Sequence, residues 1–434
     1  MGILDGRRLA CTALVCTAAA IISTVLLSGC GSTVSGTANA GEMDVRKLEV
    51  GQYSTVPLDA RDDYQHDVFK GRELAAGRLM DAVVTGVEVD PTFNHSVKAK
   101  ALIDSSDYGA LAYTTRPVLE QNKMQFGFTA SASSQPLPDH FVSGGSGYSP
   151  LGGAETNPDT TGFNVTVLQF PDQQLAQSAA DQTEAVDFAM AADQNARVTL
   201  DKQPNARAHW RPGVPSMAAT LATGQYVVTI FVQQTKPDLD GLKALAEKVL
   251  AAQLPLLDKV PALSQRDILR LDYDPDGMIR RTLHPKDYST PNAQDEITRT
   301  PRGYLHFAED QAAWKKLLDA GGVDKISDTK NGALLFRARD VAAATTLWSG
   351  INAITPVSDD KSAAVPDMSC AESPKAANPN DQTAWSTDAW NHNSRFVCTV
   401  HYDRYVARVA SSQLADAHLR AAAQYALLAN SQFM

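Results

Sequence analysis

Little in this chain announces a reaction. Its nine histidines are scattered, with no H-E-x-x-H and no paired spacing, which removes the zinc-protease pattern. A G-x-S-x-G elbow is missing too. The nearest stretch, Gly144 to Tyr148, has Tyr148 where the second glycine belongs and lies in a loop, so Ser146 is not expected to be a nucleophile. Basic charge does not dominate: the net charge is −10, which disfavours nucleic acid and anionic headgroups as partners. After Leu27 no apolar run exceeds strand length, Tyr226 to Val232 being typical, so no second membrane segment is expected. Cysteine is scarce, at five residues.

What is present begins at the N-terminus. Arg7 and Arg8 precede an uncharged run from Leu9 to Leu27, followed by the corner Leu27-Ser28-Gly29-Cys30. A charged n-region, an apolar h-region and a small-residue corner are the parts of an export signal. The corner matches the bacterial lipobox, in which the cysteine thiol is diacylated and the preceding bond is cut. Residues 1–29 are therefore expected to be removed and Cys30 to carry the lipid; an uncleaved anchor is the competing reading. Two acyl chains hold a protein stably at about 0.8 kcal/mol per buried methylene. The expected location is the extracytoplasmic face of the cell membrane, through this palmitate-type anchor. The arginine pair leaves Sec and twin-arginine export both open. Residues 30–44 are small and polar without a period and read as a flexible tether.

Of the five cysteines, Cys11 and Cys16 leave with the signal and Cys30 is acylated, so Cys370 and Cys398 remain. In an exported body such a pair is most simply a disulfide. A metal pair of Cys398 with His401 is the alternative, but residues three apart on a strand face opposite ways, and structural zinc takes four ligands.

Residues 30–434 exceed what one core usually serves. Residues 45–262 read as an N-terminal α+β domain and 263–434 as a C-terminal one, with antiparallel sheets packed by amphipathic helices. In the first, 68–83 has helical spacing, "GALAYT", "QFGFTAS" and "GFNVTVLQF" read as strands, and Asp172 caps an alanine-rich helix. Strands around Thr223-Gly224 then form a hairpin, followed by a helix capped by Asp238 with an apolar stripe. In the second, "RGYLHF" reads as a strand, "EDQAAWKKLLDAGG" as a helix, "NGALLFRA" as a strand and "RDVAAATTLWSGI" as a helix. A loop from Thr355 to Asn393 carries Cys370, then comes a hairpin over "RFVCTVHYDRYVARVAS" and a closing amphipathic helix. Both domains thus end in a hairpin and a long helix, which suggests a duplication.

The lipobox, "LEVGQYSTVPLD", "GRELAAGRLMDAVVTGVEVDP", "LQFPDQQLAQSAADQ", "DPDGMIRRTL" and the terminal "C.V..DRYVARV" hairpin together resemble a family of uncharacterised lipoproteins of mycobacterial and nocardial type that contain a domain of unknown function. The closing strand and helix also resemble the extracellular sensing domain of certain mycobacterial receptor kinases. These resemblances imply location and architecture and no catalytic residue.

Three features remain to be placed. Asp272, Asp274, Asp276 and Gly277 fit the first half of an EF-hand loop, but Leu283 stands at the twelfth position, where a bidentate Glu is needed; a turn is expected, with Ca²⁺ as the alternative. Trp385 and Trp390 in a polar loop either stack on a sugar or headgroup or pack over the Cys370 loop. His306 and His401 read as structural strand residues. No cofactor and no catalytic residue are expected. The reading is a non-enzymatic lipid-anchored binding or scaffold module whose small-molecule, glycan or protein ligand is unspecified; an envelope hydrolase or transferase with a dispersed active site is the alternative.

Overall fold

In a computed structural model the protein is described for residues 43–57, 64–136, 160–285, 296–329, 332–354, 365–372 and 394–432. Cys30, Ser146, Trp385 and Trp390 lie outside these residues. Among the described residues no helix is long and apolar enough to cross a membrane. Strands and helices form two antiparallel α+β arrangements, in tandem along the chain.

The first sheet has the order β1-β2-β3-β7-β6-β5-β4. Its strands are β1 His95–Leu102, β2 Phe126–Ser133, β3 Gly162–Gln169, β4 Ala196–Val198, β5 Arg207–Trp210, β6 Ser216–Thr223 and β7 Tyr226–Gln233. Alternation gives it two unlike faces, since successive side chains point opposite ways. Phe163, Val165, Val167, Val228, Ile230 and Val232 enter one apolar core. Helices α1, Val68–Leu79, and α3, Leu239–Leu257, pack there. Helix α2, Gln173–Ala189, packs on the opposite face over β6 and β7. Asp172 caps α2 by accepting from Leu175 N at 2.8 Å, an interaction worth about 1 kcal/mol. Gly224, at φ +55°, supplies the left-handed turn that closes the β6–β7 hairpin.

The second sheet runs β11-β12-β13-β10-β9-β8, with β8 Ile297–Arg299, β9 Lys325–Asp328, β10 Ala333–Arg337, β11 Ser369–Glu372, β12 Phe396–Tyr402 and β13 Tyr405–Ser411. Helices α4 Gln311–Ala320 and α5 Val341–Ile354 belong to the core on one face, and α6 Leu414–Asn430 to that on the other. This order repeats the first sheet: β8, β9 and β10 stand where β1, β2 and β3 do, and β10 pairs with β13 as β3 pairs with β7. β12 and β11 follow as β6 and β5 do; among the described residues β4 has no counterpart.

A buried glutamine repeats as well. Gln253 of α3 donates from Nε2 to Ala82 O (2.8 Å) and accepts from Val84 N at Oε1 (2.9 Å). Gln424 of α6 donates to Arg281 O (2.8 Å) and accepts from Leu283 N (2.7 Å). Each clamp grips the end of a 3₁₀ turn, Met80–Ala82 or Ile279–Arg281, and the residue two further on. A buried amide satisfied at both ends fixes a backbone segment that lies outside any ladder.

Three sequence expectations change. "GALAYT" is not a strand: Tyr113–Thr115 is a 3₁₀ turn leading into the helix Arg116–Gln121, whose early proline favours a helix start. "RGYLHF" likewise belongs to the helix Pro301–Leu305, with Pro301 at its start and Thr300 before it. Cys370 lies on β11, not in a loop.

The N-terminal described segment packs on the second sheet. Val45, Leu48, Val50 and Tyr53 join its core, and Tyr53 Oη donates to Asp416 (2.6 Å) while accepting from Arg420 Nε (3.0 Å). The two sheets are tied by polar contacts: Asp81 accepts from Thr300 N and Oγ1 at 3.0 and 2.6 Å, and Arg302 grips Glu88 at 2.9–3.2 Å.

Candidate functional site

The face of the first sheet under α2 is polar, and its register lines the polar groups up. One row across the strands reads Lys98, Ser131, Asn164, Phe231, Ala218, His209 and Arg197. The next reads Lys100, Thr129, Thr166, Thr229, Thr220 and Arg207. These hydroxyls and the amide are buried and mutually bonded. Thr129 and Thr166 Oγ1 are 2.8 Å apart, Thr220 and Thr229 Oγ1 3.2 Å. Asn164 Nδ2 lies 2.9–3.1 Å from Ser131 Oγ, Thr129 Oγ1 and Ala130 O.

Part of this face is open. A cleft of about 920 Å³ is floored by Asn164, Thr229, Phe231 and Ala218 and walled by Lys98 and Lys100 at one side and His209 at the other. The segment Ser106–Tyr113 and the C-terminal half of α2 close over it. From β1 to β5 is five strand spacings, about 24 Å at roughly 4.8 Å each, so the cleft is a groove crossing the strands.

Charge differs along the groove. On the β1 side, Lys100 Nζ pairs with Asp107 at 2.8 Å; burial first and the neighbouring Lys100 second push the Lys98 ammonium below the usual lysine range. On the β5 side, Glu184 takes Arg197 Nη1 at 2.9 Å with both oxygens. His209 Nε2 lies 3.8 Å from Asp187 Oδ2, and its Nδ1 is 3.4 Å from Glu184 Oε1, out of line for a hydrogen bond. Burial raises Asp187 above the usual carboxylate range. Among the described residues neither Thr183 Oγ1 nor His209 Nδ1 makes a hydrogen bond, though both are buried, and both residues line the groove.

The equivalent face of the second sheet is filled. Where β3 presents Asn164 and Thr166, β10 presents Leu334 and Phe336, which pack with Val406, Leu347 and Trp314. Trp314 stacks on Phe336 with centroids 5.8 Å apart. One topology thus carries an apolar core in one half and a polar groove in the other.

The sequence-derived candidates lie elsewhere. Cys370 and Cys398 are cross-strand partners on β11 and β12, buried and joined in a disulfide. His418 lies close enough that its ring nitrogen and the two sulfurs fall within 4.8 Å, but disulfide sulfurs are not the thiolates a metal takes. His401 is on the other face of β12, edge-on to Trp348 at 5.7 Å.

Asp272, Asp274 and Asp276 do not converge as a Ca²⁺ site would require. Asp274 is buried and accepts from Ile279 N and Arg280 N at 3.0 and 3.1 Å. Asp272 accepts from Asp274 N at 3.1 Å, and Asp276 pairs with Lys325 at 2.8 Å. The stretch is the expected turn, with Gly277 at φ +63°.

His306 follows a helix rather than sitting on a strand. Its Nε2 is 3.1 Å from Met80 O and 3.2 Å from Val83 O, and burial pushes its pKa down to about 4. It is a neutral tie between the two halves.

Sequence reading missed the groove residues. The signal was the alternation in "GFNVTVLQF", where Asn164 and Thr166 interrupt Phe163, Val165 and Val167.

Two family models match the chain: the domain of unknown function DUF7373, N-terminal, over residues 62–273, and its C-terminal counterpart over residues 278–431. The matches meet at the Asp274–Gly277 turn. No curated protein matches. Among solved structures, the crystal structure of the extracellular domain of PknH from Mycobacterium tuberculosis aligns at 15% identity with a TM-score of 0.25. That alignment covers 44% of this chain and 98% of that one, and so loose a superposition carries no argument.

Proposed function

We propose that this chain, which belongs to the DUF7373 family, is a lipid-anchored envelope protein that binds an extended polar ligand in the groove of its first sheet, without catalysing a reaction. The family description names no activity, so the reading rests on the chain's own residues. The carrying observation is the contrast between two like sheets: the face packed with Leu334, Phe336 and Trp314 in one is a groove lined by Asn164, Thr229 and Lys98 in the other. Thr183 Oγ1 in the groove lining is buried with no hydrogen-bond partner among the described residues, at a cost of about 1–3 kcal/mol that an apolar side chain on a purely structural face would avoid.

Binding is favoured over catalysis by what surrounds the groove's histidine. Among the described residues the polar neighbours of His209 are the carboxylates Glu184 and Asp187, and no serine, threonine or cysteine is bonded to it. General-base activation needs such a nucleophile within hydrogen-bond reach. The extracytoplasmic location and the anchor at Cys30 rest on the lipobox, and the disulfide supports an oxidising compartment.

The test is ligand retention. Full-length protein purified from its native membrane in detergent is expected to carry a polar species detectable by mass spectrometry. Ala218→Trp, which fills the floor, and Phe231→Ala, which removes its one large ring, are expected to lose it. Equal retention by wild type and both variants, each folded by circular dichroism, would overturn the assignment to the groove.

A further inference from the structure

We infer that the groove's ligand presents a protonated amine at Asp187 and His209, carried on an apolar chain or ring that lies over Ala218 against Phe231. This rests on the binding reading above and specifies the chemistry of the ligand's α2 end.

The polar atoms at this end lack the partners that buried groups ordinarily have. Among the described residues the Asp187 carboxylate has one ion-pair contact, His209 Nε2 at 3.8 Å, too long for a hydrogen bond. Thr183 lies four residues earlier on α2, so the two side chains share a helix face. A helical threonine often returns its hydroxyl to the carbonyl four residues back; Thr183 Oγ1 does not, and bonds to nothing among the described residues.

Charge decides what fits. Arg197 matches Glu184 and Arg207 matches Asp181, which leaves Asp187 without an arginine or lysine partner among the described residues. Burial, opposed by His209 and reinforced by Glu184, holds its carboxyl above the usual range, and an adjacent ammonium reverses that. Arg211 also lines the groove but is exposed. Lys98 and Lys100 stand at the far end, more than a Debye length of about 8–10 Å away.

An ammonium has three donors and no acceptor. With the imidazole proton on Nδ1, toward the Glu184 oxygen 3.4 Å away, His209 Nε2 is an acceptor. A nitrogen placed between Nε2 and Asp187 Oδ2 can lie about 2.9 Å from both, which suits a donor and repels a second carboxylate.

The apolar part has a place as well. Phe231 is the one residue of β7 that is not buried. It shares a row with His209, two strands away, with the small Ala218 between them; the span is about 10 Å at roughly 4.8 Å per spacing. Over this gap the groove's lining includes Tyr113 and Met190, 68% and 52% exposed. Thr114 Oγ1 lies 3.6 Å from Met190 Sδ, which ties the two walls together. A thioether and aromatic rings form a favourable lining for an apolar body, a ring above all.

The experiment is calorimetric titration of the full chain with phenethylamine, with 2-phenylethanol, which lacks the charge, and with ethylamine, which lacks the ring. Phenethylamine is expected to bind more tightly than either. Asp187→Asn should weaken it about tenfold or more, the scale of a lost hydrogen bond to a charged group, and leave 2-phenylethanol unchanged, which guards against misfolding as the cause. Tyr113→Ser with Met190→Ser should weaken both ring compounds and leave ethylamine unchanged. Equal affinities for phenethylamine and 2-phenylethanol, or an Asp187→Asn variant that binds phenethylamine as wild type does, would overturn the inference. Binding of none of the three would also overturn it, while the groove reading stands or falls separately on whether Ala218→Trp and Phe231→Ala lose the native species.

Discussion

Replacing Gln253 by leucine tests the clamp that fixes the segment under the first sheet. Gln253 is fully buried, and its amide satisfies Ala82 O and Val84 N at 2.8 and 2.9 Å. Leucine has nearly the same volume but leaves both backbone groups unpaired, at about 1–3 kcal/mol each. The added apolar burial returns about 1–2 kcal/mol, so from the mid-values the net loss is expected to be about 2.5 kcal/mol. Urea unfolding followed by circular dichroism reads this as a lowered midpoint with an unchanged slope. Gln424→Leu should behave alike, because its amide bridges Arg281 O and Leu283 N in the same way. Gln253→Glu separates shape from bonding: at neutral pH its carboxylate faces Ala82 O and cannot donate, so the loss should be at least as large. If either leucine variant stays within about 0.5 kcal/mol of wild type, the range of an ordinary surface change, the clamp does not hold the fold.

The remaining expectations are quickly stated. Replacing Cys370 and Cys398 together by alanine opens a loop of sequence separation 28 and should cost about 3–4 kcal/mol in the chain-entropy model; the unfolding midpoint reads it, and an unchanged midpoint refutes it. His306 is neutral when folded because burial holds its pKa at about 4, against 6.5 ordinarily. The unfolded chain therefore binds the proton first, and this contribution, at most about 3 kcal/mol, is full above pH 6.5 and lost as pH falls toward 4. His306→Gln should flatten that part of the pH–stability curve, and an identical curve would show that His306 is not its source. Cys30→Ala should abolish acyl labelling and release the protein from membranes, whereas persistent attachment would refute the lipid anchor.

Long elements were legible from the chain because local chemistry and packing agree in them. Asp172, Asp238 and Asp310 each accept from a backbone N–H at their helix start, and both closing hairpins carry the alternation that two packed faces demand. Short elements failed where a proline outweighed apolar content, as at Pro117 and Pro301. β1 was missed because lysine alternates with alanine along it, neither residue being a strong strand former. The groove had a visible trace in Asn164 and Thr166, but polar alternation in a strand ordinarily marks a solvated face. That α2 and the Ser106–Tyr113 segment close over it is a tertiary fact with no local signature. The shared topology of the two sheets was hidden in the same way: only the hairpin-and-helix endings repeat visibly, while Leu334 and Phe336 replace the polar pair at the equivalent positions.

Hydrogen–deuterium exchange of the full-length protein, compared with and without its bound species, tests the central claim most directly. The account predicts added protection confined to Lys98–Lys100, Ser106–Tyr113 and the Thr183–Asp187 turn of α2, the groove wall and its cover. Protection on the second sheet instead, around α5 and β12, with the groove segments unchanged, would contradict it.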